Sequence, residues 1–216
     1  MKKTLLVAML LAAGCGSSTG SGGSGGSAGS GGESGLGGTP GVGGSGNGGE
    51  SGTGGSVVRT ENLVFVTASA QTANLGGFEG ADGLCAGEAS AAGLEGEFKA
   101  WLSTLDTPAA DRLTRSAVPY VLVDGTRVAD DWDDLVDMQL LAPIGLDAGG
   151  QPQGGDVWTG TLPSGQPFAD GDCAGFTTEA SNSLSLCGST AFSDSRWTAS
   201  QTPTCNTRLR LFCFQQ

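Results

Sequence analysis

Histidine is absent from all 216 residues, and that absence excludes more chemistry than any residue present. Ser-His-Asp and Cys-His catalysis both need an imidazole to take the nucleophile's proton, and the common zinc sites need imidazole nitrogens. Cations are scarce as well: Lys and Arg total 10 against 22 Asp and Glu, for a formal net charge of −12. Lys2 and Lys3 offset Glu33 and Glu50, so the whole of that charge falls from residue 57 onward. Such a surface repels phosphate backbones, sulfated polysaccharides and anionic membranes, which argues against nucleic acid and heparin-like polyanions as partners. Long apolar runs are missing too. The one that exists, Leu5 to Ala13, is too short to cross a bilayer as a helix.

What is present at the start reads as an address. Lys2 and Lys3 precede that run, which ends Leu11-Ala12-Ala13-Gly14-Cys15. Residues 1–14 are the charged and apolar parts of an export signal, and the last five residues resemble a bacterial lipobox, with Ala12 where leucine is commoner. That resemblance implies cleavage before Cys15 and a lipid-carrying Cys15 sulfur, which anchors the chain to a membrane. No Asp follows Cys15, which implies sorting to the bacterial outer membrane, facing either the surface or the periplasm. An ordinary secretory signal with an incidental cysteine is the alternative. Residues 15–56 are then almost wholly Gly and Ser. A stretch with nothing to bury is expected to stay disordered, as a tether with a reach of roughly 35 Å. A phosphate-cradling glycine loop is disfavoured, since no strand precedes it and no lysine lies in it.

Residues 57–216 suffice for one folded head. The pattern predicts a strand at residues 63–67 and a helix over residues 80–92 with Cys85 facing the core. It places a further strand at 97–103, and a helix from Thr107-Pro108 to about Arg115. A hairpin follows through Asp124-Gly125, then a short capped helix beginning at Trp132. A strand at 156–160 and a closing strand at 208–214 end the series, the latter with Leu209, Leu211 and Cys213 on one face and Arg208, Arg210 and Phe212 on the other. The class is α+β: two short helices packed on twisted antiparallel strands with long loops. In an exported chain, the cysteines after residue 57 read as a disulfide frame.

The ordered series Gly76-Gly77-Phe78-Glu79-Gly80-Ala81-Asp82, Cys85, Ala91 to Ser103, Val118-Pro119-Tyr120, Trp132, Val157-Trp158-Thr159-Gly160, Cys173, Thr177-Thr178-Glu179, Trp197, Cys205 and Phe212-Cys213 resembles the endostatin-like domain of bacterial surface lipoproteins. That domain lies within the wider C-type lectin-like fold. The resemblance implies disulfides Cys85–Cys213 and Cys173–Cys205, leaving Cys187 as a free thiol. It also implies adhesion: a non-catalytic module that binds an extracellular protein or glycan. The zinc and heparin sites of animal endostatin do not carry over, because this chain lacks the histidines and the basic surface.

Candidate residues remain. Asp130, Asp133 and Asp137 are oxygen donors that a calcium ion would accept, while the same acids also suit the capping and solvation of a short helix. No other cofactor is expected. Trp132, with Asp130, Asp131 and Asp134 around it, is a candidate ligand-binding spot, since a charged neighbourhood predicts a partly exposed ring. The Glu-Pro-Asn or Gln-Pro-Asp triplets of calcium-dependent lectins are missing. Asp170 and Asp172 form a second acidic loop, Glu179 reads as a structural acceptor, and Arg208 and Arg210 as a solvated strand edge. Two rival functions stay open: a structural envelope or matrix protein without a soluble ligand, and a hydrolase using unassigned carboxylates.

Overall fold

The closing strand organises the head. Five consecutive residues, Leu211-Phe212-Cys213-Phe214-Gln215, have apolar or amide side chains, a composition suited to burial on both faces of a sheet rather than on one. In the computed structural model, which describes residues 59–216, this stretch forms β7 (Arg210–Gln215) at the centre of a seven-stranded sheet. The export signal, Cys15 and the Gly/Ser tether lie outside the described residues.

The other strands are β1 (Asn62–Val66), β2 (Phe98–Ala100), β3 (Tyr120–Leu122), β4 (Arg127–Ala129), β5 (Asp156–Trp158) and β6 (Cys187–Ser189). Their order is β4-β3-β1-β7-β5-β6. One edge of β7 is taken by β1 (Val64 opposite Phe214). Its other edge is shared end to end by β5 (Trp158 opposite Leu211) and β2 (Lys99 opposite Phe214). The sheet is mixed, not antiparallel as expected: β1 runs parallel to β3, and β5 parallel to β7. Parallel neighbours need long crossovers, and the chain supplies them through α1 (Gly77–Ala91), β2 and α2 (Ala109–Arg112) between β1 and β3.

The register sorts the core into two halves. Val64, Val66, Phe212 and Phe214 face one side, with Trp101, Trp132, Trp197 and Tyr120. Phe65, Leu211 and Cys213 face the other, with Phe98, Trp158 and Phe176. Phe212 is therefore a core residue, although it shares its face of the strand with Arg210. Arg208 lies before the strand and is exposed, as expected, whereas Arg210 is corrected: the strand is central, and the Arg210 guanidinium donates to the carbonyls of Thr67, Ala68 and Gly154, tying the β1 exit to the loop before β5.

Helix α1 lies on the second face. It buries Ala81, Cys85 and Ala89, spaced four apart on one stripe. These small side chains let the helix sit close to the sheet, where Cys85 is bonded to Cys213. The helix starts three residues earlier than its apolar spacing predicts, because Gly76 and Gly77 adopt φ of 81° and 71° and turn the chain into the first turn. A side chain at Gly80 would lie 1.8 Å from the Leu75 carbonyl oxygen, so only glycine lets the entering loop fold back so closely.

Three elements were not anticipated: β6, a 3₁₀ turn at Ser195–Trp197 and the segment α4 (Cys173–Phe176). In α4 the φ angles of Cys173, Ala174, Gly175 and Phe176 are all positive, from 52° to 67°, so the turn winds left-handed. Each non-glycine residue in that conformation costs roughly 1–2 kcal/mol. The turn is held by Phe176 N–H on the Asp172 carbonyl (2.8 Å) and by the Cys173–Cys205 disulfide. Helix α2 is shorter than expected, with Pro108 rather than Thr107 as its N-cap. Helix α3 covers Trp132–Leu135.

Candidate functional site

The acids around Trp132 form a capping network. Asp131 is the N-cap of α3, its carboxylate accepting from Asp134 N–H at 3.0 Å, while Asp134 reaches back to accept from Asp130 N–H at 2.8 Å. Two backbone donors that the helix start would otherwise orphan are thereby satisfied. Asp130 pairs with Arg127 at 2.6 Å. Asp137 accepts from Gln139 N–H at 2.9 Å, closing the next turn. Asp130, Asp133 and Asp137 do not converge: among the described residues no three His, Cys, Asp or Glu side chains stand together as metal ligands.

Trp132 is 6% exposed, which corrects the expectation of a partly open ring. Its indole packs on Trp101 at 5.9 Å between centroids, and the Arg115 guanidinium covers it at 5.8 Å. Trp101 in turn lies 5.1 Å from Trp197 and 5.6 Å from Phe214, with its N–H donated to Thr198 Oγ1 at 2.8 Å. The tryptophans thus serve the core, and only an edge of Trp132 reaches a small hollow beside Ser116 and Asp133.

Two other acidic groups behave as structural acceptors. Glu179 accepts from Thr72 Oγ1 at 3.0 Å. Asp172 accepts from Leu105 N–H at 3.0 Å, in a loop hollow that also contains Asp170 and the start of α4.

A hollow of about 540 Å³ lies between the end of α1 and the loop before β5, and is flanked by Glu88 and Asp147. Glu88 accepts from Ala68 N–H, Ser69 N–H and Ser69 Oγ. Asp147 accepts from Gly149 N–H, Gln151 N–H and the Gln153 amide. Burial works to raise the Asp147 carboxyl, but these donors and the charge of Arg210 outweigh it and hold the group below the usual carboxylate value. Both acids are therefore saturated acceptors that fix loops, and Asp147 is a poor proton donor.

Cys187 sits at 0% exposure in β6 opposite Trp158. Burial, with the charge of Asp156, pushes its thiol up to about 12 from 9.0, and burial pushes Tyr120 up to about 12 from 10.0. Neither group gives a nucleophile at neutral pH. Because both folded values are raised, their contribution to stability is complete below about pH 9 and is lost as pH rises toward 12. Ellman's reagent at pH 8 is expected to leave the native chain unlabelled at Cys187 and to label it on unfolding. Rapid native labelling at that position would contradict the burial.

A different surface carries an apolar groove. The loop leaving α3 and the turn after β5 face each other across a groove of about 440 Å³, lined by Val136, Asp137, Met138, Leu162, Pro163 and Ser164. Met138 is 61% exposed and holds φ of 84°, while Leu162 is 37% exposed. Both walls are fixed. Leu140 N–H and the Gln139 amide donate to the Ser193 carbonyl at 2.6 and 3.1 Å. On the opposite wall, Leu162 N–H donates to the Gln166 carbonyl at 2.8 Å and Ala110 N–H to the Gly165 carbonyl at 3.1 Å. Of these residues only Asp137 carried a sequence signal. A methionine gives no hint of positive φ, and the two walls lie far apart in the chain. In sequence comparison the chain matches no protein-family model and no curated protein.

Proposed function

We propose that the protein is a lipid-anchored binding module of the bacterial outer membrane, with Cys15 as the anchor and an endostatin-like, C-type lectin-like head that recognises an extracellular protein or glycan. The carrying observation is the preformed apolar groove at Met138 and Leu162. A large apolar side chain held outward by a backbone conformation that methionine rarely adopts points to a role other than folding. The coarse architecture supports the reading: a curled mixed sheet, few short helices and two disulfides. The disulfides suit an oxidising compartment outside the cytoplasm. Among the described residues no helix is long and apolar enough to cross a membrane, so attachment in this reading rests on lipid. Binding without chemistry is favoured because the carboxylates of the hollow beside α1, Glu88 and Asp147, are engaged by backbone donors.

Cells producing the full chain are expected to incorporate an alkyne-labelled fatty acid into it and to adhere to surfaces coated with extracellular proteins or glycans. Cys15→Ser is expected to abolish the label and the adhesion while the head still folds. Adhesion no greater than that of cells lacking the chain, or undiminished in Cys15→Ser, would contradict the proposal.

A further inference from the structure

The groove beside α3 joins two properties that rarely occur together on a monomer surface. Its walls are apolar, built by Val136, Met138, Leu162 and Pro163. Its lining is also negative: Asp137 lies in it, and the short helix that precedes it carries Asp133 and Asp134, with Asp131 as its N-cap. Among the described residues, Asp130 alone of this run has a cationic partner, Arg127. Asp131, Asp134 and Asp137 accept from backbone donors but pair with no cation among the described residues, on a head that already carries the chain's net −12.

From this juxtaposition, and resting on the binding-module reading above, we infer that the groove docks a cationic protein segment. An aliphatic or aromatic side chain of the partner fills the space between Met138 and Leu162, and flanking Lys or Arg side chains meet the aspartates of α3. The apolar anchor supplies affinity by leaving water, and the charges supply orientation and encounter rate. The groove is ready before the partner arrives, since the Ser193 carbonyl holds one wall and the Leu162–Gln166 turn the other. Little ordering entropy is lost on docking. A second copy of this chain is a poor occupant, because a two-fold contact would set one aspartate run against its twin. An anionic glycan is repelled for the same reason.

Met138→Gly separates binding from folding. Glycine accepts φ of 84° without strain, so the variant keeps or raises the melting temperature while losing the exposed side chain. The probe is a fluorescein-labelled peptide with a Leu-Phe pair flanked on both sides by lysines, titrated against the full chain. Two control peptides replace the Leu-Phe pair by Ser-Ser or the lysines by glutamates. Saturable binding of the probe is expected, weakened at least about tenfold by Met138→Gly, by Leu162→Ser and by either peptide change, the scale of a single interface anchor. Added salt is expected to weaken it further. Equal binding of the Ser-Ser control shows unspecific charge attraction and overturns the inference, as does binding indifferent to both groove substitutions, or a concentration-dependent dimer that Met138→Gly abolishes. If the full chain binds extracellular proteins or glycans saturably and Met138→Gly does so equally well, the groove assignment fails and the binding-module reading stands. If it binds neither these nor the peptide, both fail.

Discussion

Replacing Cys85 and Cys213 together by alanine is expected to lower the unfolding free energy by about 5 kcal/mol, the cost of releasing a crosslink that spans 128 residues. The structure explains why this bond matters so much. The buried stripe of α1 consists of Ala81, Cys85 and Ala89, side chains too small to hold the helix on the sheet by apolar area alone. The bond fastens that stripe to the central strand β7. Losing 5 kcal/mol is comparable to the whole stability of many domains, so the variant is expected to be largely unfolded at 37 °C. The inner pair, Cys173 and Cys205, closes only 32 residues, for which the same chain-entropy argument gives about 4 kcal/mol. Its removal also lets the left-handed turn of α4 relax, which returns part of that amount. Urea midpoints should therefore fall much further for the outer pair than for the inner one. An outer-pair loss below about 2 kcal/mol would show that α1 is held by packing instead.

Arg112→Ala should be the most damaging single charge removal. Arg112 Nη2 donates to both Asp82 oxygens at 2.7 and 2.9 Å, Nη1 donates to the carbonyls of Ala100 and Leu102 at 3.0 and 3.1 Å, and the guanidinium lies 3.7 Å above the Phe78 ring. One side chain thus ties α1, β2 and α2 together where β2 leaves β7. Asp82 also accepts from Ala100 N–H at 2.9 Å. Alanine would strand that carboxylate and two carbonyls, at a cost of about 3 kcal/mol, the low end for a broken buried pair because Asp82 keeps some solvent contact. Arg112→Lys should recover only part of this, since one ammonium cannot serve both the carboxylate and the two carbonyls that Nη2 and Nη1 reach separately. Thermal unfolding checks both variants. A change in the alanine variant below about 1 kcal/mol, as exposed ion pairs give, would remove Arg112 from this role.

The legible parts of the sequence were those whose signal is local. Asp124-Gly125 marks the β3–β4 hairpin because that turn needs residues tolerant of unusual backbone angles, and Gly125 indeed has φ of 84°. Asp131 and Asp134 show the start of α3 because capping chemistry sits within four residues. The two-sided burial of β7 is not legible, for the opposite reason. Alternation between Leu209-Leu211-Cys213 and Arg208-Arg210-Phe212 looks like a one-sided strand, whereas its burial on two faces depends on β1, β2 and β5, which come from distant parts of the chain. In the same way Trp132 was read as half-open from its acidic neighbours, but those acids face the helix cap while the ring turns inward onto Trp101. The α4 turn and the Met138 loop were invisible, since positive φ at Cys173, Ala174, Phe176 and Met138 runs against their intrinsic preferences. Where local preference is overridden in this way, the tertiary structure holds the residue against its tendency. At Met138 the result is an exposed apolar group at the groove.

The central claim, that the head binds something outside its own envelope, is tested most directly by applying the purified full chain to an array of extracellular proteins and glycans, once with calcium and once with chelator. Saturable binding to protein targets is the predicted result, unchanged by chelator because the aspartates of residues 130–137 cap a helix and close a turn rather than converge on an ion. A blank array would contradict the account and leave a structural envelope role in its place.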